Sequence, residues 1–221
     1  MQVVVFGANG TLGGEIAKYM KSAGDNVLTV SRNSRSTQIQ TDSGMDSISS
    51  SGLKFDSCIW AQGKNINDSL ENSEKFSEVF EANVGYTIST LKFLLHNNLL
   101  KNDARLVVIS SIWQEASRTN KFSYTVAKSA LRGLVNSFVA DYSSSGYYMN
   151  ALLPGVVDTP MTRENLTKSQ ILAIEEETPA KKLVTSEDVA RAAHWLASSK
   201  SSGINGQFIR VDNGWSQVRA L

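Results

Sequence analysis

Residues 3–17 read VVVFGANGTLGGEIA, and this stretch decides the fold. An apolar run of β-formers breaks into Gly7, Gly10 and Gly13, spaced by three, and passes directly into a helical pattern. A strand, a glycine turn and a helix in that order form a phosphate cradle. Gly7 permits the tight turn, Gly10 lets the backbone approach a pyrophosphate, and Gly13 lets the helix pack close to the strand. The helix start then turns free N–H groups and a partial positive charge toward the anion. Asn9, Thr11 and Leu12 lie between these glycines and complete the candidate cradle.

The same alternation continues along the chain. Apolar runs at 2–6, 26–31, 55–61, 105–111, 147–155 and 207–214 read as strands, with a weak strand near Ile39. Helical patterns fill 12–24, much of 74–100, 124–144 and 186–198, the last opening on a Ser-Glu-Asp helix start. Residues 160–178 are polar and helical and read as a flap. Repeated strand–helix units predict a doubly wound α/β fold: a parallel sheet of about seven strands with helices on both faces. No internal repeat or linker divides the 221 residues, so residues 1–221 are expected to form one domain, with the Ser-rich 43–51 a short connection inside it.

Composition narrows the function. With 22 basic and 21 acidic residues, nothing favours nucleic acid or an anionic membrane as partner. Cys58 is the single cysteine, lies in an apolar run, and reads as a buried, inert thiol. His96 and His194 stand apart as helix residues, so no metal site is expected. The glycines follow the N-terminus too closely for a signal peptide, and no run approaches the ~20 apolar residues of a membrane helix. A soluble, cytoplasmic protein is expected.

At the end of the second candidate strand an NAD site would carry a carboxylate for the ribose hydroxyls. Here Ser31 leads into Arg32, Asn33 and Arg35. An arginine fork suits a 2′-phosphate, which favours NADP(H) over NAD(H). Further on, Tyr124 and Lys128 stand four apart in FSYTVAKSA (122–130). By spacing alone the pair is an ordinary helix face. Ser111, at the end of the preceding strand and 13 residues before Tyr124, changes that reading.

With these three residues in place, the chain resembles the short-chain dehydrogenases/reductases along nearly its whole length. The glycine loop, FDSCIWAQG, EANVG, VVISS, YTVAK, LLPGVVDTPM and GQFIRVDNG follow the family's order. The resemblance implies a Rossmann-type fold and a catalytic set. Tyr124 exchanges the proton, Lys128 lowers its pKa and holds the nicotinamide ribose, Ser111 orients the substrate oxygen, and Asn83 anchors a water leading to the lysine. It further implies cofactor contacts from Ala61, Gln62 and Gly63, from Pro154, Gly155, Val157 and Thr159, and from Asp42 near adenine. Trp113 and Met161 are expected to wall the substrate pocket, beside Ile112 and Gln114, and Arg163 is either an anion contact or a solvated helix residue.

Phe6, Thr11 and the WAQG at 60–63 depart from the family's pattern. The implied activity is hydride transfer between NADP(H) and a small carbonyl or alcohol, and the C-terminal half is similar to 3-oxoacyl-carrier-protein reductases. A non-catalytic NADP-binding regulator on the same fold is the alternative. Nucleotide-sugar epimerases and dehydratases, which such glycine loops also suggest, resemble longer chains with an added substrate domain. A homodimer or homotetramer is implied, paired through the 74–100 and Tyr124 helices.

Overall fold

The computed structural model describes residues 1–31, 39–40, 45, 48–49 and 52–218, so Arg32 and Asp42 lie outside the described residues. Strands β1 (Gln2–Phe6), β2 (Asn26–Ser31), β3 (Ile39–Gln40), β4 (Phe55–Trp60), β5 (Leu100–Ile109), β6 (Tyr148–Pro154) and β9 (Phe208–Val211) build one sheet in the order β3-β2-β1-β4-β5-β6-β9. Every described pairing is parallel. Six strands carry the sheet, and the seventh is the two-residue edge strand β3. β7 (Val157–Asp158) and β8 (Val184–Thr185) pair separately, on either side of the flap.

The period-two pattern of the strands assigns the two faces. Val3, Val5, Ile59 and Val107 pack on α1 (Thr11–Ser22) and on α7 (Ser186–Ala197). Val4, Phe6, Cys58 and Leu106 pack on α3 (Tyr86–His96) and α4 (Phe122–Tyr142). Helix α1 meets the sheet with Gly13, Ile16, Ala17 and Met20, one stripe at helical spacing. The strand order reverses at β1: β2 and β3 lie to one side, β4 and β5 to the other. Open α/β sheets bind ligands in the crevice at this switch point, beyond the strands' C-terminal ends.

Four sequence readings shift. The 74–100 helix is α2 (Phe76–Phe80), a π-helical turn (Glu81–Gly85) and then α3. β5 begins at Leu100 and stops at Ile109, which leaves Ser110 and Ser111 beyond the strand end. The flap is two helices, α5 (Pro160–Asn165) and α6 (Lys168–Glu177). Helix α7 is capped by Thr185 rather than by its Ser-Glu-Asp start: the Thr185 hydroxyl accepts from the Asp188 N–H at 3.1 Å, and Asp188 accepts from the Thr185 N–H at 2.9 Å.

Phe6 and Trp60, two of the departures, account for each other. They face across β1 and β4 in register, both are buried, and their rings stack at 5.5 Å. The Trp60 indole N–H donates to Thr90 Oγ1 at 2.7 Å, which satisfies its one polar atom in the core. The substitutions fill the sheet face beneath the crevice and do not open it.

Candidate active site

The glycine loop closes on the next strand. Gly7 has φ +80°, and a Cβ there would lie 2.6 Å from the Gln62 Cα, so only glycine lets the 61–63 turn pass. A Cβ on Gly13 would overlap the Gly7 carbonyl oxygen and lie 2.7 Å from its carbon, so α1 sits directly against the loop. Gly10 is the N-cap of α1, no side chain caps the helix, and its first turn holds no acidic residue. Its leading N–H groups are therefore left to an anion, as a dinucleotide pyrophosphate requires. At the β2 edge of the crevice the Ser31 hydroxyl is buried without a hydrogen-bond partner among the described residues.

On the opposite wall, β5, α4 and the π-turn converge. Ser111 follows the end of β5, and its hydroxyl hydrogen-bonds Tyr124 on α4. The backbone N–H of Trp113 donates to Ser111 Oγ at 3.3 Å, fixing the serine at the start of a short 3-10 turn (Ile112–Gln114). Burial of its surroundings pushes the Tyr124 phenol up to about 12, and the Ser111 hydrogen bond works in the opposite direction. One turn along α4, Lys128 is buried, donates to the Ile109 carbonyl at 3.0 Å and lies 5.6 Å from the Tyr124 ring centroid. Burial pulls its ammonium down to about 7.

Asn83 occupies the π-turn. Its Nδ2 donates to the Lys64 carbonyl at 2.9 Å and the Val79 carbonyl at 2.8 Å, while Oδ1 is buried and has no partner among the described residues. A Cβ on Gly63 would meet Asn83 Oδ1 at 2.6 Å and Lys128 Nζ at 3.6 Å, so the glycine leaves the gap between them open. An acceptor with no partner beside a lysine is the place for a bound water, which fits the relay expected of Asn83. π-turns collect at functional sites because they re-aim a side chain within a helix.

The third wall is mixed. Pro154 and Gly155 turn at the end of β6, where a Cβ on Gly155 would lie 2.9 Å from that of Asp212. Val157 is buried in β7. Thr159 accepts from the Thr162 N–H at 3.1 Å and caps α5, so its hydroxyl is already engaged by the flap. Met161 lies within α5, and its side chain is outside the described part. Trp113 is half-buried, and Ile112 and Gln114 beside it are buried. Arg163 forms a bidentate pair with Asp158, both contacts at 2.7 Å, and so is held by a carboxylate of its own chain.

The sequence did not point to three further residues. Trp215 meets Trp113 edge-to-face at 5.8 Å. Asp68 accepts from both the backbone N–H and the hydroxyl of Ser123 and so holds the start of α4. Lys121 lies 5.7 Å from the Tyr124 ring centroid. Only Lys121 carried a signal, a basic residue three positions before Tyr124 at the helix start.

The buried Lys128 has a cost that can be measured. Its value is near 10.5 in the unfolded chain and about 7 in the fold, so the unfolded chain binds the proton more tightly. The penalty is complete below pH 7 and disappears as pH rises through 10.5. Lys128→Met forfeits one hydrogen bond but removes that penalty. The cofactor-free variant is expected to melt about 5 °C higher at pH 6, with the gain shrinking toward pH 10. Calorimetry across that range checks it.

Residues 57–216 match the family model described as enoyl-(acyl carrier protein) reductase. Among curated relatives, the uncharacterized oxidoreductase YmfI of Bacillus subtilis (strain 168) is 34% identical over 56% of this chain and 52% of its own length. The 3-oxoacyl-[acyl-carrier-protein] reductase FabG of Escherichia coli (strain K12) is 27% identical over 66% of this chain and 59% of its own. The matched region thus spans between half and three fifths of these relatives. A solved short-chain dehydrogenase family protein from Francisella tularensis superposes with TM-score 0.86 over 98% of this chain and 99% of that one, at 21% identity, a likeness of fold alone.

Proposed function

From the premise that the chain belongs to the short-chain dehydrogenase/reductase family of oxidoreductases, we propose that it is an NADP(H)-dependent carbonyl reductase acting on a small-molecule carbonyl or secondary alcohol. One observation carries the reading: Ser111, Tyr124 and Lys128 converge across the switch-point crevice from an uncapped α1 and its glycine loop. The cofactor, when bound, supplies or accepts hydride. The Gly7–Gly13 loop and the α1 N–H groups hold its pyrophosphate, and Lys128 holds the nicotinamide ribose. Ser111 donates to the substrate oxygen and steadies charge that develops there. Tyr124 gives its proton to that oxygen in reduction and takes one back in oxidation. A phenol pushed up to about 12 is protonated at neutral pH, the form that reduction needs. For oxidation it must be drawn down by positive charge on Lys128. Asn83 Oδ1 holds the water through which that lysine recovers protons.

The NADP preference rests on Arg32 and on the lack of a carboxylate after β2. Calorimetric titration with NADPH and NADH tests it. NADPH is expected to bind more tightly, and Arg32→Ala to weaken NADPH about tenfold or more while leaving NADH unchanged. Equal affinities in both proteins would refute the preference. The likeness to the 3-oxoacyl-[acyl-carrier-protein] reductase FabG supports a 3-oxoacyl thioester as one substrate to try, and Trp113 supports an apolar pocket wall. Half-exposed Ile88 on α3 and Val126 on α4 support pairing of two copies through these helices. Among the described residues no helix is long and apolar enough to cross a membrane.

A further inference from the structure

We infer that Lys121 is a positioning residue for Tyr124: a second buried ammonium that favours the phenolate through the face of the ring. The inference rests on the reading of Tyr124 as the acid–base group.

Tyr124 and Lys128 lie one turn apart on α4, and Lys121 is the N-cap residue just before it, three residues ahead of Tyr124. The two ammonium groups lie over the Tyr124 ring at nearly equal distances, 5.7 Å for Lys121 and 5.6 Å for Lys128. A cation over a neutral phenol gains only the attraction of the ring's quadrupole, but over a phenolate it gains a full opposite charge. Its presence therefore stabilises the ionised form more than the neutral one.

Lys121 is held in place for this task. It is 5% exposed, its Nζ donates to Asn65 Oδ1 at 2.7 Å, and it reaches the Ile66 carbonyl at 3.5 Å. Two residues on, Asp68 fixes Ser123 and the start of α4, so the loop that holds Lys121 also aligns the tyrosine's helix. The charged and titratable groups facing the pair are Lys128 on α4, Arg118 before it and Asp68 on the loop after β4; the Ser111 hydroxyl adds a hydrogen bond. Burial is the main cause that lowers Lys121 to about 8; Arg118 adds to it and Asp68 opposes it. The ammonium is thus present through neutral pH, and its pull on the phenolate fades as pH rises through about 8.

A difluorinated tyrosine incorporated at position 124 tests this without a substrate, because its phenol is more acidic and its fluorine resonance reports ionisation. In the cofactor-bound protein, Lys121→Met is expected to raise the midpoint by about one pH unit. Lys121→Arg, which keeps the charge, is expected to restore it. Asn65→Ala, which only loosens the ammonium, is expected to give a smaller rise and decides the matter if Lys121→Met does not fold. A midpoint unmoved by loss of the lysine, or by loss of its anchor, overturns the inference. Unmoved midpoints beside turnover that still needs Tyr124 would remove only Lys121. Turnover undiminished in Tyr124→Phe would remove the catalytic reading itself.

Discussion

Tyr124→Phe is expected to retain NADPH affinity and to lose turnover by about 10³-fold. The substitution removes one oxygen and keeps the ring that α4 presents to the crevice. The Ser111 hydroxyl loses its partner but stays fixed by the Trp113 N–H at 3.3 Å. The cofactor's other proposed contacts, among them the glycine loop and Lys128, are untouched. What disappears is the group that moves the proton, and a neutral phenyl ring cannot replace it. Fluorescence titration with NADPH beside steady-state rates separates the two effects. A variant that loses both affinity and rate would assign Tyr124 to structure and not to proton transfer.

Gly13→Ala is expected to weaken NADPH binding by at least about 100-fold and to destabilise the fold by roughly 1–3 kcal/mol. The added methyl would overlap the backbone carbonyl of Gly7, which has no rotamer by which to escape. Helix α1 must lift from the loop, and its N–H groups move away from the proposed pyrophosphate position. Its stripe Ile16, Ala17 and Met20 packs on the β1 face, so the same displacement loosens one of the two cores. Gly14→Ala is the matched control: its Cβ would stand 3.1 Å from the Ala8 carbonyl oxygen, a contact relieved by a few tenths of an ångström. Calorimetric titration and thermal melts of the two variants check the contrast.

The sheet was legible because burial on both faces makes the strands continuous apolar runs, and the parallel order follows from the helices between them. The glycine loop was legible because each glycine meets a separate steric demand. The catalytic face of α4 followed from helical spacing together with a family resemblance; spacing alone left it an ordinary surface. The π-turn was hidden, since one extra residue within a helix barely alters the apolar stripe from Val79 to Leu94. That Phe6 and Trp60 compensate each other depends on strand register, which no local pattern of either strand reveals. Lys121 was passed over for a similar reason: its anchor, Asn65, lies 56 residues away. The α7 start at Ser186 was read correctly, but its cap was not, because Thr185 and Ser186 are both competent caps and only the Thr185–Asp188 pair of hydrogen bonds separates them.

The central claim is that the Ser111–Tyr124–Lys128 wall performs carbonyl reduction with a nicotinamide held by the Gly7–Gly13 loop. The direct measurement is NADPH consumption by the wild-type chain against aldehydes, ketones, quinones, 3-oxoacyl thioesters and keto-sugars, with NADH in parallel. Saturable oxidation of NADPH with at least one of these carbonyls, faster than with NADH, is the predicted result. Tight NADPH binding with no turnover across the panel would contradict it and point to a nucleotide-binding regulator on the same fold.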